Sequence, residues 1–254
     1  MNRSLKKFIY GVSYLALFGL ILFGVYKSVF KTKPTCADGI RNQGEISIDC
    51  GGPCGSCETL NLEPIKSVGE VKIFGLSSGK AVIVAEIENP NENYGAIFSY
   101  NFKIYDNADN LVETIPGKGN IYETERKFIY ASQVAESLSD ISKVQIEISD
   151  LQWKEAKSLS KPDLAAENVL TEAGVVGIKV SGSIKNSGPF AARQLEVIAF
   201  LSDERSFEIF ASKTFIADLE NFAEKPFVIT FPPDKNLTQR FDPKATRVFV
   251  SASF

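Results

Sequence analysis

The chain has 254 residues, 44% of them hydrophobic and 23% charged, which excludes a disordered chain and a polytopic membrane protein. It contains no histidine, so Ser-His-Asp and Cys-His catalysis and histidine zinc ligation are excluded outright. The formal charge of −3 is uneven: residues 1–33 hold six Lys/Arg and no acid, leaving 22 basic against 31 acidic groups, a balance with no electrostatic footprint for nucleic acid.

Phe8–Tyr26, FIYGVSYLALFGLILFGVY, is an uncharged run of 19 residues. As a helix it would span about 28 Å, close to the hydrocarbon thickness of a bilayer. Tyr10 and Tyr26 lie near its ends, where amphipathic rings favour the interface. A cleavable signal peptide is the competing reading, but the run is longer than a typical h-region and no small-x-small site follows it. An uncleaved anchor is expected, residues 8–26 meeting the lipid bilayer and residues 1–33 forming the cytoplasmic tip and span. Arg3, Lys6 and Lys7 face Lys27, Lys31 and Lys33 across the run, so the positive-inside rule is nearly a tie.

Cysteine usage breaks that tie. All four cysteines fall in residues 34–58, at Cys36, Cys50, Cys54 and Cys57, among closely spaced glycines. A segment this short cannot bury a core and needs cross-links or a metal. Two disulfides are expected, with three pairings open, and they require an oxidising compartment. A Cys₄ zinc site is weakened because only Cys54 and Cys57 form a C-x₂-C knuckle. A redox pair, Cys54-Gly-Ser-Cys57, would need a helix start, and Gly51, Gly52, Pro53 and Gly55 read as a loop instead. Asp38, Asn42, Glu45 and Asp49 are hard oxygen donors of the kind calcium takes, though EF-hand spacing is absent. The plainer alternative is a turn at Asp38-Gly39 with solvated loop residues around it.

The stretch CADGIRNQGEISIDCGGPCGSC resembles a cysteine motif, C-x-DGI-x-N-x-x-E-x-x-x-DCGG-x-C-x-x-C, of bacterial surface and secreted proteins. The resemblance covers about 22 residues; it implies an extracytoplasmic location and no known catalytic activity.

Beyond Glu58 the pattern turns to β. Val82–Asn89 sets Ile83, Ala85 and Ile87 against Glu86 and Glu88, and Phe98–Ile104 sets Phe98, Tyr100, Phe102 and Ile104 against polar residues. Turn chemistry follows at Asn89–Gly95 and Asp106–Asn110. Lys143–Ser149 is a further strand, closed soon after by Trp153. Gly177–Asn186 repeats the alternation. A slide of 97 residues sets Ile87–Asn89 on Ile184–Asn186 and Phe102–Asp106 on Ala199–Asp203, and, with seven more residues intervening, Val144 on Val248.

The expected class is all-β: an N-terminal transmembrane helix, a cysteine-rich collar at 34–58, and two tandem immunoglobulin-like sandwiches at 59–156 and 164–254, joined by a linker at 157–163. Phe102-Lys-Ile-Tyr-Asp106, with Ile87–Pro90 before it, resembles the FxLYD β-sandwich family, related to late-embryogenesis-abundant type 2 domains. The second copy keeps only Asp203 of that motif. The resemblance implies fold, not activity.

No enzyme is expected. Glu86, Glu88, Glu147 and Asp150 read as solvated strand carboxylates, and Pro116–Gly119 as a hairpin turn rather than a phosphate loop. Asn236-Leu-Thr238 is a glycosylation sequon only in a glycosylating host. The expected function is that of a membrane-anchored extracytoplasmic structural or binding protein of the cell envelope, with an envelope or surface protein as partner. No cofactor is expected apart from the calcium reading, and no small-molecule substrate is indicated. The alternatives are a tethered thiol-disulfide protein using Cys54 and Cys57, or a calcium-binding surface module.

Overall fold

The computed structural model describes residues 3–30, 35–77, 79, 81–132, 134, 138–174 and 177–254. Lys31 and Lys33, part of the basic flank, lie outside them. The chain divides into two compact units, Met1–Leu62 and Glu63–Phe254.

In the first unit, α1 spans Arg3–Phe30. Its apolar run, Lys6–Tyr26, has a mean hydropathy of 2.1 and is long and apolar enough to cross a membrane. Phe8, Leu15, Phe18 and Leu20 are all exposed, the reverse of a core helix. No proline interrupts the run, so each backbone amide can be satisfied within the helix, as a lipid-embedded segment requires.

The second unit is all β. Its first half holds β1 (Lys66–Ser67), β2 (Lys72–Gly75), β3 (Ala81–Glu88), β4 (Tyr94–Asp106), β5 (Leu111–Ile121), β6 (Arg126–Ser132) and β7 (Ile141–Glu155). Its second half holds β8 (Leu164–Gly174), β9 (Gly177–Asn186), β10 (Ala192–Ser202), β11 (Glu208–Leu219), β12 (Glu224–Thr230), the short helix α2 (Lys235–Arg240) and β13 (Arg247–Ser253).

The two halves have the same topology. In the first, β3 is flanked by β6 and by the interrupted edge β1/β2, and β4 is flanked by β5 and β7. In the second, β9 lies between β12 and β8, and β10 between β11 and β13. All these pairings are antiparallel. Each half is thus a two-sheet sandwich with a central strand in each sheet.

The halves also share a core. Odd-numbered residues of β3, Ile83, Ala85 and Ile87, pack with Phe98, Phe102 and Ile104 inside the first sandwich. Its even-numbered Val82 and Val84 pack instead with Phe200, Ile198 and Phe210 of the second half. Strand β10 does the same from the other side: Leu195, Val197 and Ala199 face β9 and β12, while Phe200 meets Phe128 and Phe74 at ring-centroid distances of 4.9 and 6.3 Å. Four sheet layers result, with β3 and β10 buried on both faces. Full burial of a Val or Phe side chain is worth roughly 1.5–3 kcal/mol, so this seam holds the halves together. Polar ties reinforce it: Glu208 of β11 pairs with Lys72 of β2, and Asp234, which caps α2, accepts from Ser77 N at 2.8 Å.

Three local expectations change. Pro116–Gly119 is not a turn but the middle of β5, because the rings of Tyr100 and Phe98 lie across Gly117 and Gly119 where a Cβ would clash. In the final strand, Phe102 pairs with Ile146 as Ala199 pairs with Val248, so Val248 corresponds to Ile146 rather than Val144. The shift is two residues, one full pleat, which leaves the same face inward. Trp153 does not follow the strand but lies within β7, opposite Ala96.

Candidate functional site

The collar brings the sequence-singled residues together. Two crossed disulfides, Cys36–Cys54 and Cys50–Cys57, have Cα separations of 5.5 and 4.8 Å. Cys54 and Cys57 are bonded to different partners, so Cys54-Gly-Ser-Cys57 is not itself a disulfide couple. Cys50 and Cys54 are buried.

The glycines make this crossing sterically feasible. Gly51 and Gly52 have φ of +78° and +62°, where L side chains are strained. A Cβ on Gly52 would stand 2.4 Å from Gly44 O, and one on Gly51 would stand 2.6 Å from the Ile46 side chain. The chain can double back on itself only where both side chains are missing.

The four oxygen-donor residues are turned largely onto the backbone. Asp49 Oδ1 accepts from Asp38 N at 3.0 Å and Asp49 Oδ2 from Gly39 N at 2.9 Å. Asp38 Oδ2 accepts from Asn42 Nδ2 at 3.0 Å and from Thr35 N at 3.1 Å, and Oδ1 from Ile40 N at 2.9 Å. These bonds, the Asn42 amide first, hold the Asp38 carboxyl below the ordinary aspartate range. Glu45 is buried, and its Oε2 accepts from Asn42 N and Asp49 N, both at 3.2 Å. Its Oε1 lies 3.2 Å from Cys54 Sγ, but a disulfide sulfur has no proton to give. Cys36, Glu45 and Cys54 also cluster closely enough for a metal, yet both sulfurs are consumed in one disulfide. Asn42 Oδ1 is buried and accepts no hydrogen bond.

The arrangement is therefore a knot: carboxylates take the place of a core by gathering loop amides, and the disulfides lock the loops. A side chain accepting two or three backbone amides organises a turn in the way an N-cap organises a helix start.

Outside the collar, the carboxylates considered from sequence do not converge. Glu86 and Glu88 lie on β3, and Glu147 and Asp150 on β7, in different sheets. Glu88 pairs with Arg126 at 3.3 Å and Glu147 with Lys103 at 2.7 Å. Asn236 and Thr238 lie in α2, with Asn236 N donating to Asp234.

No family model and no curated protein matches the sequence. Among solved structures, a red sea bream transglutaminase is similar over 73% of this chain and 31% of its own, at 13% identity and a TM-score of 0.20. At that score the likeness carries no argument.

Proposed function

We propose that the protein is a non-enzymatic, membrane-anchored component of the cell envelope, held by α1 with its collar and β-body outside the cytoplasm, where the β-body meets a protein partner. The observation that carries this reading is the pairing of all four cysteines in the segment that follows an exposed apolar helix. Structural disulfides persist in oxidising compartments, which supports an orientation with the C-terminal side of the helix outside. The bacterial-surface resemblance of the cysteine motif and the FxLYD resemblance of Phe102–Asp106 support the same assignment.

The test is topology. Protease added to intact cells or sealed spheroplasts should digest the chain beyond Lys33 and leave the anchor. Full protection would reverse the orientation.

Calcium is the second reading, favoured by the unpartnered Asn42 Oδ1 beside the carboxylates of Asp38 and Glu45. It would make the collar stiffness dependent on chelators. The thiol-disulfide alternative is disfavoured by the bonding of Cys54 and Cys57 to separate partners.

A further inference from the structure

Where β5 and β6 part to join opposite sheets of the first sandwich, a cleft of about 470 Å³ opens, closed from the other side by β10 and β11. Strand register explains its wall. Glu196 stands opposite Phe215, and Lys213 opposite Ile198, so all four point from the second sandwich toward the first. On the first sandwich, Tyr100 reaches the cleft because Gly117 carries no side chain to stop its ring.

Lys127 is the unusual member. It lies on the same face of β6 as the core residues Ile129 and Ala131 and is only 7% exposed. Its Nζ donates to Asn120 O at 3.1 Å, one bond for three N–H groups. Burying an ammonium is costly unless its donors are met and its charge is balanced. Two carboxylates act on it, Glu125 and Glu196, and burial still pushes its pKa down. Glu196, however, is paired with Lys213, whose Nζ also sits 4.9 Å from the centroids of Tyr130 and Phe215. With Lys118 at the rim, three lysines line the cleft against one lining glutamate, Glu196, with Glu125 the second carboxylate acting on Lys127 from outside the lining.

We infer that this cleft binds a small anion bearing a carboxylate or phosphate, which completes the bonding of the Lys127 ammonium and rests its body against Tyr130 and Phe215. The site is independent of the anchoring proposed above, since it lies wholly within the β-body.

Calorimetric titration of the full chain in lipid nanodiscs, with inorganic phosphate, succinate and glucose as probes, tests it. Saturable one-to-one binding of phosphate or succinate, and none of glucose, is the expected result. Lys127→Met should weaken it at least about tenfold, a change of roughly 1.4 kcal/mol. Glu196→Gln should strengthen it severalfold by removing the competing negative charge, a gain that a purely structural role would not produce. If Lys127→Met does not fold, Lys118→Gln, at the exposed rim, serves in its place with a smaller loss. Absence of saturable binding by either anion, equal binding of glucose, or anion binding unmoved by these variants would overturn the inference.

Discussion

Asn89 and Asn186 hold the same position in the two sandwiches and make the same bonds. Asn89 Nδ2 donates to Tyr94 O at 2.7 Å and Tyr122 O at 2.9 Å; Asn186 Nδ2 donates to Phe190 O at 2.7 Å and Glu220 O at 3.1 Å. Each Oδ1 accepts at 3.1 Å from the amide two residues on, Asn91 N or Gly188 N. Both side chains are fully buried. Each asparagine thus ties the end of its central strand to the connection that crosses to the other sheet and to a second crossing connection, β5–β6 in the first sandwich and β11–β12 in the second. Asp106 and Asp203 show the same equivalence, each Oδ1 accepting from the amides two and four residues later.

Asn89→Ala should destabilise the β-body by roughly 2–4 kcal/mol, because two buried carbonyls lose their donor, and Asn186→Ala should cost less, because the Phe190 and Glu220 carbonyls are only part-buried. Equilibrium urea unfolding of each variant measures this. A loss under about 0.5 kcal/mol would mean that water replaces the amide.

The shared core sets a second expectation. Phe102→Ala, inside the first sandwich, and Phe200→Ala, at the seam, should each cost about 3–5 kcal/mol, since both rings are fully buried. Lys103→Ala should cost at most about 1 kcal/mol, as its ion pair with Glu147 is largely solvated. Calorimetry of the wild-type chain should give one transition for the β-body. Phe200→Ala should separate it into two, whereas Phe102→Ala should lower it without splitting.

Much of this organisation is legible in the residues. The alternation of Ile83, Ala85 and Ile87 marks one buried face, and the 97-residue slide finds both asparagines and both aspartates. The seam is hidden because Val82 and Val84 look like incidental apolar residues on a polar face, and β10 reads simply as a hydrophobic run. Two-sided burial is a tertiary property, and a central strand in stacked sheets loses the period-2 signal that reveals a half-buried one. Gly117 and Gly119 mislead for a related reason: glycine signals a turn locally, but here it clears space for rings from β4. The collar residues are legible as a set, while their pairing and their bonding to backbone amides depend on the path of the loop.

Alkaline pH should weaken the β-body. Burial raises the phenols of Tyr122 and Tyr130 to about 12 from an ordinary value of 10. Between those values the unfolded chain loses protons that the folded chain keeps, so stability is full below pH 10 and falls as pH rises toward 12. Lys127, with its pKa lowered, acts in an earlier window: its penalty is relieved as pH rises through the lowered folded value and is gone by the ordinary lysine value of 10.5, before most of the tyrosine loss. Tyrosinate absorbance followed with folded fraction should show Tyr122 and Tyr130 ionising late, together with Tyr100, whose phenol burial also raises. Uniform ionisation near pH 10 would contradict the packing of these rings.

In the collar, Gly52→Ala should prevent the knot from closing, because the added Cβ meets Gly44 O in a left-handed backbone. A strain of roughly 1–3 kcal/mol is expected for the conformation alone. Limited proteolysis should then cut residues 36–57 while the β-body remains intact. Asp38 carries the opposite pH sense to the tyrosines: its lowered pKa stabilises above the ordinary value of 3.8 and is lost as pH falls through the folded one, so the collar should loosen only in strong acid.

Non-reducing peptide mass spectrometry of the protein taken from its native membrane tests whether a disulfide-locked collar lies outside the cytoplasm. Alkylation during lysis should find no free thiol, and the digest should contain Cys36 linked to Cys54 and Cys50 linked to Cys57. Four free cysteines, or a single easily reduced Cys54–Cys57 bond, would contradict both the knot and the compartment assigned to it.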